Sequence, residues 1–198
     1  MQSFSKTYGL IVCGGQSSRM GRDKSMLNYH GQPQVYYLYT LLGTLCDEVF
    51  ISCNAEQAKS INKIYNLIVD SPVYAGKGPM AGLLSAFDRL PGTDWLVTGC
   101  DYPFITRKVV NDFIKEINKL DIAAAFYNTK ENIYDPLLAW YSYPAMDEIK
   151  KMFAREEYSL QSFLKKKKAA KYYPEDEIIL KSIDTLEEYK KIKSSICF

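Results

Sequence analysis

The 198-residue sequence predicts one α/β domain, a mostly parallel central sheet with helices on both faces. Short apolar runs alternate with helix-like segments along the whole chain, the pattern of a parallel sheet covered on both sides. Hydrophobic residues make up 47% of the chain, enough to fill such a core and to exclude global disorder. No repeat, low-complexity tract or linker divides it, so 1–198 reads as one unit.

Each element has a local cause. Tyr8–Cys13 is an apolar run ended by two glycines, a buried strand. Pro33 opens a helix at its first position, running to about Leu45. Glu48–Cys53 is the second strand, Ala55–Tyr65 a helix and Leu67–Val69 a short third strand. Pro79 begins a helix through Leu90, ended by Pro91-Gly92. Trp95–Gly99 is a buried strand, and Thr106 caps a helix through Leu120. Ile122–Phe126 and Pro136–Tyr141 are strands, Ala145–Ala154 and Ser159–Lys168 helices, and Lys171–Tyr173 a last short strand. Thr185 caps a C-terminal helix.

Composition excludes several function classes. A net charge of +2 gives no general attraction to nucleic acid or to a membrane surface. The run Lys165–Lys168 reads as a solvated helix end. The five cysteines (Cys13, Cys46, Cys53, Cys100 and Cys197) are odd in number and lack C-x-x-C spacing, against a disulfide framework or zinc site and in favour of a reducing cytoplasm. Cys13 and Cys100 lie in apolar runs, where cysteine acts as a small hydrophobe. No segment reaches membrane-spanning length and no signal-type run opens the chain, so a soluble cytoplasmic protein is expected.

The most informative stretch follows the first strand, Val12 to Lys24. Two glycines, small polar residues, Arg19, Gly21 and Lys24 supply approachable backbone N–H groups and two fixed cations, as a triphosphate requires. It is not a P-loop, because Arg22-Asp23 separate Gly21 from Lys24, nor a G-x-G-x-x-G fingerprint, because Gly14 and Gly15 are adjacent. Ligands of open α/β sheets bind beyond the carboxyl ends of the strands. Gly14-Gly15, Ser52 to Asn54, Asp70 and Asp101 all follow strand ends and are expected to converge on one edge. Asp70 also reads as the opener of an Asp-Ser-Pro turn, and Asp101 as a cap. The single histidine, His30, reads as a turn residue; Tyr36, Tyr37 and Tyr39 read as packing or as a stacking face.

Val12-Cys13-Gly14-Gly15-Gln16-Ser17-Ser18-Arg19-Met20-Gly21-Arg22-Asp23-Lys24 resembles the L-A-G-G-x-S-x-R-M-G-x-D-K signature of the molybdenum cofactor guanylyltransferase family. Gly78-Pro79-Met80-Ala81-Gly82, Cys100-Asp101-Tyr102-Pro103-Phe104 and Asp135-Pro136-Leu137-Leu138-Ala139-Trp140-Tyr141 are similar to further segments of it. Ser182-Ile183-Asp184-Thr185 stands where that family has N-x-N-T, a departure on the acceptor side. The resemblance implies a Rossmann-like nucleotidyltransferase fold with a nucleotide-binding half, about 7–105, and an acceptor-binding half, about 106–198. It implies transfer of GMP from GTP to the terminal phosphate of molybdopterin or its molybdenum complex, with Mg²⁺ and release of pyrophosphate. Molybdenum-insertion proteins or apo-molybdoenzymes are the implied downstream partners. Catalysis would fall to Arg19, Lys24 and Asp101, with Asp101 on Mg²⁺. Val12, Cys13, Gly14, Gly15, Lys24, Gly78 and Asp101 would surround the nucleotide, with either Ser52 or Asn54. Asp70 would accept from the guanine edge, and Ser182 and Asp184 would face the acceptor. A CTP-using or sugar-phosphate relative and a nucleotide-binding regulator without catalysis are the competing readings.

Overall fold

The structure, a computed structural model, describes residues 6–13 and 23–195. Its seven strands form one sheet in the order β3-β2-β1-β4-β6-β5-β7. They are β1 (Thr7–Val12), β2 (Glu48–Cys53), β3 (Leu67–Val69), β4 (Asp94–Gly99), β5 (Ala123–Asn128), β6 (Ile133–Tyr141) and β7 (Ala170–Tyr172). Only β6 runs against its neighbours. The apolar runs sort themselves by this topology: β1 and β4, interior to the sheet, are buried almost throughout.

Helices α1 (Gln34–Gly43) and α4 (Arg107–Glu116) cover one face, where Val35, Leu38 and Phe113 pack with Ile11, Ile51 and Trp140. Helices α3 (Pro79–Arg89), α5 (Ala145–Phe153) and α6 (Leu160–Lys167) cover the other, where Leu83, Phe87, Ile149 and Phe163 pack with Leu10, Val97 and Tyr141. A smaller cluster of Leu27, Tyr29, Ile183 and Ile192 seats the C-terminal helix α7 (Leu186–Ser195).

Several boundaries move. The expected helix over Ala55–Tyr65 contracts to the single turn α2 (Gln57–Ser60). The helix expected through Leu120 ends at Glu116, where Asn118 Oδ1 takes the Leu120 N–H instead. Two short 3₁₀ turns, Lys24–Met26 and Glu177–Leu180, complete the fold. Strand β6 starts three residues before the expected Pro136, because the register shifts between Ala125 and Tyr127 and leaves Pro136 in a bulge where its missing N–H breaks no ladder bond. The lysine run ends α6 as expected: Lys168 is a left-handed C-cap, and Lys166 and Lys167 pair with Glu157 and Glu148. The tyrosines of α1 take the packing role. Tyr36 stacks on Tyr65, and Tyr37 on His30, whose Nε2 lies 2.8 Å from the Pro103 carbonyl.

Candidate active site

Strand order reverses direction between β1 and β4, which makes their carboxyl ends the crevice of the sheet. The register brings three ends level: Val12 is paired with Ser52 on one side and Gly99 on the other. Cys13 follows immediately, its N–H donating to the Ser52 carbonyl at 2.9 Å. Cys13 and Cys100 face each other as free thiols, Sγ to Sγ 3.5 Å, and that contact together with burial pushes the Cys100 thiol up. Gly14, Gly15 and Arg19 lie outside the described residues.

Both stems of that glycine-rich loop are held by one side chain that the sequence did not mark. Gln57 Nε2 donates to the Cys13 carbonyl at 2.8 Å and to Asp23 Oδ2 at 3.3 Å. Asp23 Oδ1 meanwhile accepts from the N–H and hydroxyl of Ser25 and so caps the 3₁₀ turn that begins at Lys24. Asn54 completes this brace, exchanging hydrogen bonds with Gln57 through its own N–H and Oδ1. Of the two polar residues expected after β2, Ser52 is therefore the one beside Asp70, its hydroxyl 3.5 Å from Oδ1. Burial raises the Asp70 carboxyl and Ser52 opposes the shift. Gly82 lets α3 approach this pair: a Cβ there would stand 2.2 Å from Ser52 Oγ. Gly78 forms the N-cap of α3 at φ +62°.

Asp101 follows β4 and folds back over it. A Cβ on Gly99 would lie 2.5 Å from its Oδ1, so the carboxylate sits where a side chain would otherwise be. That oxygen is buried and has no hydrogen-bond partner. Burial raises the Asp101 carboxyl; its own backbone N–H and then nearby Lys24 draw it down, and Asp184 pushes it up. The same three residues are tied structurally. Lys24 Nζ pairs with Asp184 Oδ1 at 2.6 Å, and the Ile183 N–H donates to the Asp101 carbonyl at 2.9 Å. Ser182 donates to Asp184 Oδ2 at 3.4 Å. Residues from three distant parts of the chain thus meet at one sheet edge.

A cavity of about 700 Å³ opens beside them, lined by Tyr102, Tyr134, Asp135, Gln161, Ser182 and Asp184 among others. Because β6 is antiparallel, its first residues meet the end of β5 and Leu138 meets Thr98 near the end of β4, so the start of β6 runs on past the end of β4. This is what puts Asp135 next to the Asp101 segment. Tyr102 Oη donates to Asp135 Oδ1 at 2.8 Å and the Leu137 N–H adds a second bond at 3.1 Å. Burial raises the Asp135 carboxyl to about 6 despite those donors. Neither Tyr102 nor Asp135 was expected as a site residue.

An unpartnered, shielded carboxylate oxygen suits a hard cation, and Mg²⁺ takes one or two carboxylates, completing its shell with waters and substrate phosphates. Among the described residues no group of three or more His, Cys, Asp or Glu side chains is placed to hold a metal, so the phosphates would have to supply the rest.

The chain is similar to a molybdenum cofactor biosynthesis bifunctional protein of Synechocystis sp., 34% identical over 68% of this chain, which spans only 39% of that longer protein. A probable molybdenum cofactor guanylyltransferase of Bacillus cereus is 24% identical over 81% of this chain and 80% of its own. The fold is similar to the crystal structure of a molybdopterin-guanine dinucleotide biosynthesis protein A from Archaeoglobus fulgidus, with a TM-score of 0.78 and 21% identity over 95% and 97% of the two chains. A family model described as MobA-like NTP transferase domain matches residues 9–171, most of the chain, so the chain belongs to the MobA-like NTP transferase family.

Proposed function

We propose that this nucleotidyltransferase transfers GMP from GTP to the terminal phosphate of molybdopterin or its molybdenum complex. The carrying observation is the buried, unpartnered Oδ1 of Asp101 at the crevice of the sheet, beside Lys24. Asp101 would hold Mg²⁺, which when bound neutralises phosphate charge. Lys24 reaches the phosphates once it leaves Asp184, and Arg19 takes the leaving pyrophosphate. An acceptor phosphate oxygen forms a bond to the α-phosphorus while the bond to the β-phosphate bridging oxygen breaks. A phosphate monoester is largely dianionic at neutral pH, since its second pKa is about 6, so no general base is required. The burden falls on in-line placement and charge neutralisation.

The guanine reading is supported by Asp70, a carboxylate able to accept from both N1–H and the 2-amino group, with Ser52 at its side. The names of the relatives described above support it as well. Incubation with [α-³²P]GTP, Mg²⁺ and molybdopterin is expected to yield a labelled pterin dinucleotide; no labelled product overturns the proposal. Thermal shifts rank the donors. A ligand at a hundredfold its Kd stabilises by about 2.7 kcal/mol, so GTP is expected to raise Tm most, and a larger shift with CTP removes the guanine assignment.

A further inference from the structure

The acceptor cavity contains more acid than a site for a phosphorylated substrate calls for, and most of that acid is already engaged. Asp184 is paired with Lys24, and Glu177 with Lys130 and Thr129. Glu188 accepts the N–H groups of Asp184 and Thr185, and Asp176 accepts that of Ile178. Asp135 differs. Tyr102 Oη and the Leu137 N–H converge on its Oδ1 and the Leu138 N–H also acts on the carboxylate, which fixes its plane and leaves Oδ2 without a side-chain partner. It stands in the Pro136 bulge of β6, in a cavity whose lining also carries flat or apolar surface from Tyr134 and Ile178. Tyr102 is the neighbour of Asp101, so a ligand reaching Asp135 has its far end near the catalytic edge.

We propose that Asp135 is the acceptor-specificity residue: held by Tyr102 as a positioning residue, it reads the paired N–H donor edge of a 2-amino-4-oxo pyrimidine fused ring. An ionised carboxylate is acceptor-only and matches two adjacent donors, while a ring with a carbonyl in place of the amino group presents an acceptor and is repelled. The inference rests on the pterin acceptor proposed above and names the residue that recognises it.

The test uses two fluorescent probes, 2-amino-4-oxopteridine and 2,4-dioxopteridine, titrated into the full chain without nucleotide. The wild type is expected to prefer the amino ring by at least about tenfold, the scale of one charged hydrogen bond. Asp135→Asn, whose amide both donates and accepts, is expected to lose that preference. Tyr102→Phe removes one oxygen, serves if the first variant does not fold, and is expected to reduce the preference about threefold or more. Calorimetric binding of Mg²⁺-GTP should be unchanged in both. Equal binding of the two probes by the wild type, no binding of either, or a preference untouched by both substitutions overturns the inference. Failure of the donor assignment looks different: the probe preference persists while the wild type does not bind GTP.

Discussion

A buried polar atom left without a hydrogen bond costs a folded chain about 1–3 kcal/mol, and Asp101 Oδ1 is such an atom. Asp101→Asn is therefore expected to hold or raise Tm in magnesium-free buffer while lowering kcat by about 10²–10³, the effect of losing one electrostatic stabiliser; a near-normal kcat removes Asp101 from the chemistry. Lys24→Ala should lower kcat comparably. Gly82→Ala forces a methyl into contact distance of Ser52 Oγ, so GTP affinity should fall by about tenfold or more with little change in acceptor-probe binding, as titration would show. Asp135 gives a pH signature. Its folded value, about 6, lies above its ordinary 3.8, so the native state binds the proton more tightly than the unfolded chain. The stability it contributes is fully present below about 4 and is lost as pH rises through about 6. Asp135→Asn should accordingly melt higher than the wild type above pH about 6, by a few degrees, with the gap closing in acid.

At the scale of elements, α7 packs on a small apolar cluster separate from the two that cover the sheet. It is seated by the cluster of Leu27, Tyr29, Ile183 and Ile192 and by the bond from Tyr189 Oη to the Asn28 carbonyl. Ile192→Ala is expected to accelerate amide exchange in α7 and leave β1 and β4 protected; uniform acceleration would mean that the helix unfolds only with the whole domain. The strands were legible because apolar runs bounded by turn residues have few alternative fates, and the strand ends then located Asp70 and Asp101. Periodicity misjudged α2 and the end of α4; past each end an asparagine, Asn62 or Asn118, takes the N–H two residues on, of Ile64 or Leu120, into a local turn. Gln57 left no mark in the sequence because its role is tertiary, bridging residues 13 and 23 from a one-turn helix. Asp135 was passed over because the strand was expected to begin after it, at Pro136, and because its partner Tyr102 lies 33 residues away. Lys24 and Asp184 are 160 residues apart, and no local pattern announces their pairing.

Across the whole molecule, the proposed sites for the two substrates would grow from different parts of one sheet. The donor side would be built on β1 to β3 and α3 and the acceptor side on β5, β6 and the segment before α7; these parts touch at Asp101 through the Ile183 N–H. The reversed strand β6 has one more effect. Its hairpin with β5, residues 129–132, hangs at the cavity rim, with Lys130 and Glu131 in the lining, and carries none of the ladder that holds the nucleotide half. If that connection is swapped together with the start of β6, Asp135 included, the chimeras should change which acceptor is taken while their GTP-induced melting shift stays that of the parent, a route by which one scaffold diversifies without relearning its energy source.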